Sequence, residues 1–91
     1  MPNGSYRVDI APAAARQLRR LPRGDAARLR GPILALALEP RPPGASRPTD
    51  SPWWRLRTGD LRVVLYAIDD GARLVIVLKV ARRDERTYRR P

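Results

Sequence analysis

The chain has neither cysteine nor histidine among its 91 residues, and these two absences remove several classes of chemistry. Without cysteine there are no disulfides, no zinc–thiolate sites and no thiol nucleophile. Without histidine the chain lacks the commonest general base and the commonest metal ligand. We therefore expect no cofactor and no metal centre.

Carboxylates and long apolar runs are also scarce. The nine acidic residues are scattered, and their adjacent pairs are Asp69-Asp70 and Asp84-Glu85. Neighbouring side chains on a strand point to opposite faces, so these pairs are poor metal ligands. No apolar run approaches about 18 residues, and no charged-then-apolar leader opens the chain. We expect one domain over residues 1–91, cytoplasmic and without membrane association.

Positive charge is the strongest signal that is present. Nineteen basic residues against nine acidic ones give a formal charge of +10, and Lys79 is the single lysine. Arginine binds phosphate oxygens bidentately and stacks on bases, and a field of this sign favours a polyanion. A GC-rich genome would explain the preference for arginine over lysine, but not the net charge. The composition therefore indicates a nucleic-acid or phosphate partner.

The first half of the sequence predicts a strand followed by a helical hairpin. Residues 6–10 alternate apolar and polar side chains, as a half-buried strand does. Pro12 suits the first position of a helix, which Pro22 and Gly24 then end. Asp25 can cap a second helix that runs to about Glu39, with a kink or two short pieces at Gly31-Pro32. The residues predicted to form its buried side are Leu29, Ile33, Leu36 and the Leu34–Leu38 pair.

The second half predicts β structure after a proline-rich loop. Residues 40–52 contain five prolines and cannot form a helix or a central strand. Strands are predicted over 53–58, 61–68 and 73–81, with turns at Gly59-Asp60 and Asp69-Asp70-Gly71. The fold class is α+β: a strand, a two-helix hairpin and a three-stranded antiparallel meander, with the helices on one sheet face. The first strand could join the meander at an edge or in its middle.

Arginines concentrate around the meander. Arg55 and Arg57 share a face of the first meander strand, Arg62 opens the second, and Arg82 and Arg83 follow the third. Like charges on neighbouring strands are destabilising, which favours an anionic ligand over a chance cluster. Any single one of these arginines could instead be a solubilising surface charge.

Metal-free RNA cleavage needs a base for the 2′-hydroxyl, charge stabilisation and an acid for the leaving oxygen. Arginine supplies charge but stays protonated, so the base would be a tyrosine, a carboxylate or Lys79. Tyr88 lies between Arg86 and Arg89, where positive charge would lower the pKa of its hydroxyl. Tyr88 could act as a base, stack on a nucleobase, or simply attach the C-terminal tail to the sheet.

Two segments carry a resemblance to a known family. WWRLRTGDLRVVLY at 53–66 resembles the W-R-[IL]-R-x-G-[DN]-[YL]-R-[VL]-[VL]-Y signature of the RelE/ParE toxin superfamily. VLKVARR at 77–83, followed by Tyr88-Arg89-Arg90, is similar to its closing V-x-H-R…Y-R segment, with Arg82 where many members carry histidine. Nearly the whole chain is covered, and the RelE-like fold is the one the resemblance implies.

The resemblance implies a toxin of a type II toxin–antitoxin system, a RelE-like mRNA interferase. Such a toxin is a ribosome-dependent endoribonuclease that cleaves translated mRNA in the ribosomal A site. By motif position Arg62 and Arg83 resemble the catalytic arginines and Tyr88 the C-terminal catalytic tyrosine. The implied partners are an acidic RelB-like antitoxin, the ribosome and mRNA. The remaining basic residues of the motif, implied to bind RNA phosphates, are Arg55, Arg57, Arg82 and Arg86.

Two alternatives stay open at the level of sequence. The same superfamily includes ParE-like inhibitors of DNA gyrase, which act as protein–protein inhibitors without catalysis. An inactive member that only binds RNA would retain the basic surface and cut nothing. Gyrase inhibition without RNA cleavage would favour the first alternative, and salt-dependent binding without cleavage the second.

Overall fold

The structure, a computed structural model, describes residues 5–58 and 62–82. The predicted order of strand, two helices and meander is confirmed, with one additional short strand. The elements are β1 (Arg7–Ile10), α1 (Pro12–Arg20), α2 (Arg23–Ala35), β2 (Ala45–Ser46), β3 (Trp54–Thr58), β4 (Arg62–Asp69) and β5 (Leu74–Arg82).

The strands form one mixed sheet in the order β1-β5-β4-β3-β2. β3, β4 and β5 are the predicted antiparallel meander, and β1 joins it at an edge, parallel to β5. β2 is the strand that the sequence did not predict. It lies within the proline-rich segment and pairs with β3 at the other edge. β2 contains only two residues, which are too few for an alternating apolar and polar pattern to indicate a strand.

The helices begin and end at residues that explain their limits. Pro12 opens α1, where a missing N–H costs nothing. α2 begins at Arg23, two residues before the predicted cap, so Asp25 lies within the first turn and complements the helix dipole. Of the kink or two short pieces predicted at Gly31-Pro32, the two pieces are contradicted, because α2 runs unbroken through Pro32. Leu29 and Ile33 are buried on either side of that proline and hold the helix against the sheet.

The core lies between the helices and one face of the sheet. Ala14 of α1 and Leu36 after α2 meet Val64, Tyr66 and Val77 of the central strands there. Leu34 and Leu38, predicted to be buried, are 59% and 70% exposed. The buried stripe of α2 follows spacings of four and three residues, and these two leucines lie outside it.

The opposite face of β4 and β5 is apolar as well. Val63, Leu65 and Ala81 are at most 7% exposed, yet none belongs to the core between sheet and helices. β4 therefore buries side chains on both faces. This second face carries Arg55 and Arg57 of the candidate site. No helix within the described residues is long and apolar enough to cross a membrane.

Candidate functional site

Two of the predicted site residues occupy directly opposite positions in the sheet. Arg62, the first residue of β4, is in register with Arg82, the last residue of β5. Across the other side of β4, Arg62 pairs with Thr58 at the end of β3. Arg83 follows Arg82 in the sequence. We name this end of the sheet, defined by Thr58, Arg62 and Arg82, the arginine end.

Arg55 and Arg57 lie on the sheet face that the helices do not cover. Leu56 between them is buried in the core, so alternation along β3 places both arginines on the opposite face. Their register partners on β4 are Leu65 for Arg55 and Val63 for Arg57. Arg57 is exposed and Arg55 half-buried. The structure thus brings these two predicted residues together.

A third cation shares this face. Lys79 of β5 is exposed and pairs with Leu65, whose other partner is Arg55. Arg55 and Lys79 are therefore two strand spacings apart, about 10 Å. We name this surface the outer face, and its members are Arg55, Arg57, Val63, Leu65, Lys79 and Ala81.

The charges of the outer face suit an anionic partner such as the phosphates of a nucleic acid. Its cations stand on β3 and β5, and the apolar side chains of Val63 and Leu65 lie between them. Cations on both sides of the sheet centre can bind phosphates, while Val63 and Leu65, at most 7% exposed, leave little apolar surface for bases. The sequence did not predict that Lys79 would share a row with Arg55, because a bulge in β5 changes the register just before it.

The predicted site residues do not all share one row. Arg57 is in register with Val63, whereas Arg62 is the preceding residue of β4 and is in register with Thr58. Successive positions of a strand alternate between its faces, so Arg62 and Arg82 occupy positions of the opposite face from Arg55 and Arg57. The predictions for Arg83, Arg86 and Tyr88 lie outside the described residues.

The opposite end of the sheet is held by a polar network. The Tyr6 hydroxyl donates to Asp70 Oδ1 at 2.6 Å, and Arg41 donates to both carboxylate oxygens of Asp70, at 3.2 and 2.7 Å. The Arg41 guanidinium also lies 5.4 Å from the ring centre of Trp54. The buried Tyr66 hydroxyl donates to the Pro40 carbonyl at 2.7 Å. We name this end, defined by these contacts, the anchored end.

These contacts shift the pKa values of the groups that make them. The hydrogen bonds from Arg41 lower the pKa of Asp70 the most, and the hydrogen bond from Tyr6 lowers it further. Both act by stabilising the Asp70 carboxylate. The hydrogen bond to Asp70 raises the pKa of Tyr6, and burial raises the pKa of Tyr66 to about 12. A general base needs the opposite shift, so neither tyrosine suits that role.

Distance points to the same conclusion. Tyr66 lies four residues along β4 from Arg62, about 14 Å at the spacing of an extended strand. Tyr6 contacts Asp70, which lies further still from Arg62. Among the three tyrosines of the chain, Tyr88 therefore stays the predicted candidate for the base.

The comparisons with known proteins rest on structure alone. No protein-family model and no curated protein sequence matches the chain. Among solved structures, the chain is similar to one in the RelBE2 toxin–antitoxin complex from Mycobacterium tuberculosis. The two are 28% identical, with 87% of this chain and 99% of the other covered and a TM-score of 0.75.

Two further structures extend this likeness. A chain of the archaeal RelE–RelB complex from Pyrococcus horikoshii OT3 is 25% identical, over 89% of this chain and 98% of that one, with a TM-score of 0.75. The isolated RelE toxin of E. coli is 15% identical, over 92% and 90%, also with a TM-score of 0.75. At 15% identity, the similarity to the E. coli structure supports the fold only.

Proposed function

We propose that the chain is the toxin of a type II toxin–antitoxin system. The reason is its structural similarity to RelE-like proteins of such systems. Its activity would be that of a ribosome-dependent, metal-independent endoribonuclease that cleaves translated mRNA. The observation that carries the proposal is the likeness, over almost the full length of both chains, to proteins of RelBE toxin–antitoxin complexes. Residues 1–91 would act as a single domain.

The arginine end supports the catalytic half of this proposal. Arg62 and Arg82 occupy opposite register positions. Two like charges directly opposite each other cost stability, which an anion between them would offset. Arg83 follows Arg82 directly in the sequence. In our proposal Arg62 and Arg83 stabilise the charge that develops on the scissile phosphate.

The outer face supports the binding half. Arg55 and Arg57 stand beside a buried apolar strip, and we propose that they bind RNA phosphates together with Arg82 and Arg86. The cleavage step is attack of the 2′-hydroxyl on its own phosphate, with departure of the 5′-oxygen. We propose Tyr88 as the group that accepts the 2′-hydroxyl proton. A metal is not required in this scheme, since cations of the protein supply the positive charge.

An acidic antitoxin is the proposed protein partner. The chain is similar to chains of the solved RelBE2 and archaeal RelE–RelB complexes. The formal charge of +10 favours a partner of opposite sign, and the same charge favours the ribosome and its mRNA. We expect co-expression of the acidic antitoxin to neutralise the toxin and to co-purify with it.

The decisive experiment combines induced expression with primer extension on a translated messenger. We expect the wild type to arrest growth and to cut at translated codons. In the Arg62→Ala/Arg83→Ala variant, loss of transition-state stabilisation should lower cleavage by ~10³-fold or more. Cleavage by purified protein should likewise require ribosomes.

A matched control removes two exposed arginines from the helices. Arg16→Ala/Arg28→Ala loses the same charge away from the sheet, so it should still cut. Full cleavage by Arg62→Ala/Arg83→Ala would contradict the site assignment. Growth arrest without any RNA cut, accompanied by inhibition of gyrase supercoiling, would instead establish the ParE-like alternative.

A further inference from the structure

β5 extends beyond the strand that pairs with its outer edge. β1 accompanies β5 only from Leu74 to Val77. The Ala11 amide then donates to the Val77 carbonyl at 2.8 Å, and the chain turns away into α1. β5 continues to Arg82 with β4 on one side. On the other side, within the described residues, no strand pairs with its last part.

A side chain of α1 takes over where β1 ends. Gln17 Oε1 accepts a hydrogen bond from the Val80 backbone N–H at 2.8 Å, and this contact is partly buried. A backbone N–H that is buried without an acceptor is costly, so a polar side chain at this position of α1 has a specific task. Gln17 thus acts in place of the missing strand.

The position of this hydrogen bond matters because β5 contains a bulge just before it. Tyr66 pairs with Val77, but Leu65 pairs with Lys79, so Leu78 is an extra residue on β5. Every pair beyond the bulge depends on that extra residue. If β5 were to lose the bulge, Arg62 would face Ala81 and no longer Arg82.

We propose that Gln17 is a positioning residue: its hydrogen bond to Val80 holds β5 in the bulged register that sets Arg82 opposite Arg62. The geometry of strand pairing makes this testable directly. The Val80 N–H points away from β4, so Val64–Val80 is a non-hydrogen-bonded pair, and so is Arg62–Arg82 two residues along. Such pairs bring their two Hα atoms close together. The effect on catalysis rests on the proposed function, whereas the register does not.

The experiment compares two substitutions of nearly equal size. Gln17→Met keeps the volume and removes the acceptor, while Gln17→Glu keeps an acceptor oxygen at the same reach. By NMR, we expect Gln17→Met to lose the Arg62–Arg82 Hα–Hα contact and the hydrogen-exchange protection of Val80. Gln17→Glu should retain both. A persistent Arg62–Arg82 contact in Gln17→Met would overturn the inference, whether or not the wild type cuts RNA.

Kinetics on programmed ribosomes separate positioning from stability. Gln17→Met should lower kcat on the order of 10²-fold, as misplaced catalytic groups do, with little change in KM. Gln17→Glu should restore the rate. Tyr66→Phe is the stability control, because it also loses one side-chain hydrogen bond to the backbone but at the anchored end.

The outcomes are distinct. An unchanged kcat in Gln17→Met, or a kcat in Tyr66→Phe reduced as much as in Gln17→Met, would overturn the positioning role in catalysis. A wild type that never cuts contradicts the proposed function and leaves the inference to be decided by the Arg62–Arg82 contact.

Discussion

The two ends of the sheet differ in how their charged residues are arranged. At the anchored end, Asp70 accepts hydrogen bonds from Arg41 and Tyr6, and buried Tyr66 attaches the loop after α2 through the Pro40 carbonyl. At the arginine end, Arg62 and Arg82 occupy opposite positions. Seven strand steps, about 24 Å, separate the two ends along β4. Stability is thus concentrated at one end and charge suited to a ligand at the other.

This separation explains how a small domain can carry a basic site. Like charges placed on neighbouring strands reduce stability. At the anchored end the charge of Arg41 is instead paired with Asp70, and its guanidinium lies against the Trp54 ring. The strands β4 and β5 are long enough to run from one end to the other. These two strands therefore connect the anchored end directly to the arginine end.

The largest expected effect tests where stability resides. Tyr66 is fully buried and makes a buried hydrogen bond, so Tyr66→Ala should cost about 3–5 kcal/mol of unfolding free energy, a large fraction of what a small domain has. Arg57→Ala, at an exposed position of the outer face, should change it by less than about 0.5 kcal/mol. Urea unfolding followed by fluorescence measures both. Equal losses of unfolding free energy would show that the anchored end and the outer face contribute equally to stability.

The next effect tests where charge acts. Arg55→Gln/Arg57→Gln should lower the salt dependence of ribosome or RNA binding, reducing the slope of log K against log salt by about 2. Arg16→Gln/Arg28→Gln removes the same charge from the helices and should leave that slope nearly unchanged. Titrations at several salt concentrations supply both slopes. Equal reductions would mean that binding responds to net charge and not to the outer face.

The sequence predicted most elements because their signals are local. Alternation in residues 6–10 and the turn residues Asp69-Asp70-Gly71 lie within a few positions of the structures they specify. Long-range features left no such signal. The contact of Tyr6 with Asp70 joins residues 64 positions apart, and the bulge at Leu78 depends on the pairing of two strands. Local patterns cannot contain either feature.

The same distinction applies to the candidate site. The basic character of Arg55 and Arg57 and their common face could be predicted from alternation along one strand. The pairing of Arg62 with Arg82 and the placement of Lys79 beside Leu65 could not, because both follow from the bulged register. Gln17 was equally hidden, since its role depends on where β1 stops alongside β5. Register, more than residue type, separates what was predictable from what was not.

The smallest expected effect concerns the pH dependence of the anchored end. Asp70 has a pKa below its ordinary value of 3.8, chiefly through the hydrogen bonds of Arg41. The stability it contributes is therefore present above pH 3.8 and is lost as the pH falls through the lowered pKa. Asp70→Asn should lack this acid-side loss. The effect is small because the paired side chains of Arg41 and Asp70 are 43% and 57% exposed and solvent screens them.

On the alkaline side the sign is reversed. The hydrogen bond to Asp70 raises the pKa of Tyr6, so the stability that Tyr6 contributes is present below pH 10.0 and is lost as the pH rises through the raised pKa. Asp70→Asn removes that contribution, whereas Tyr66, with a pKa of about 12 from burial, contributes equally to both proteins. Urea unfolding across the pH range should therefore give wild-type and Asp70→Asn curves that converge in acid and differ most near neutrality. Parallel curves would mean that the ionisation of Asp70 does not contribute to stability. RNA cleavage at neutral pH should be the same in both proteins, because the substitution leaves the arginine end unchanged.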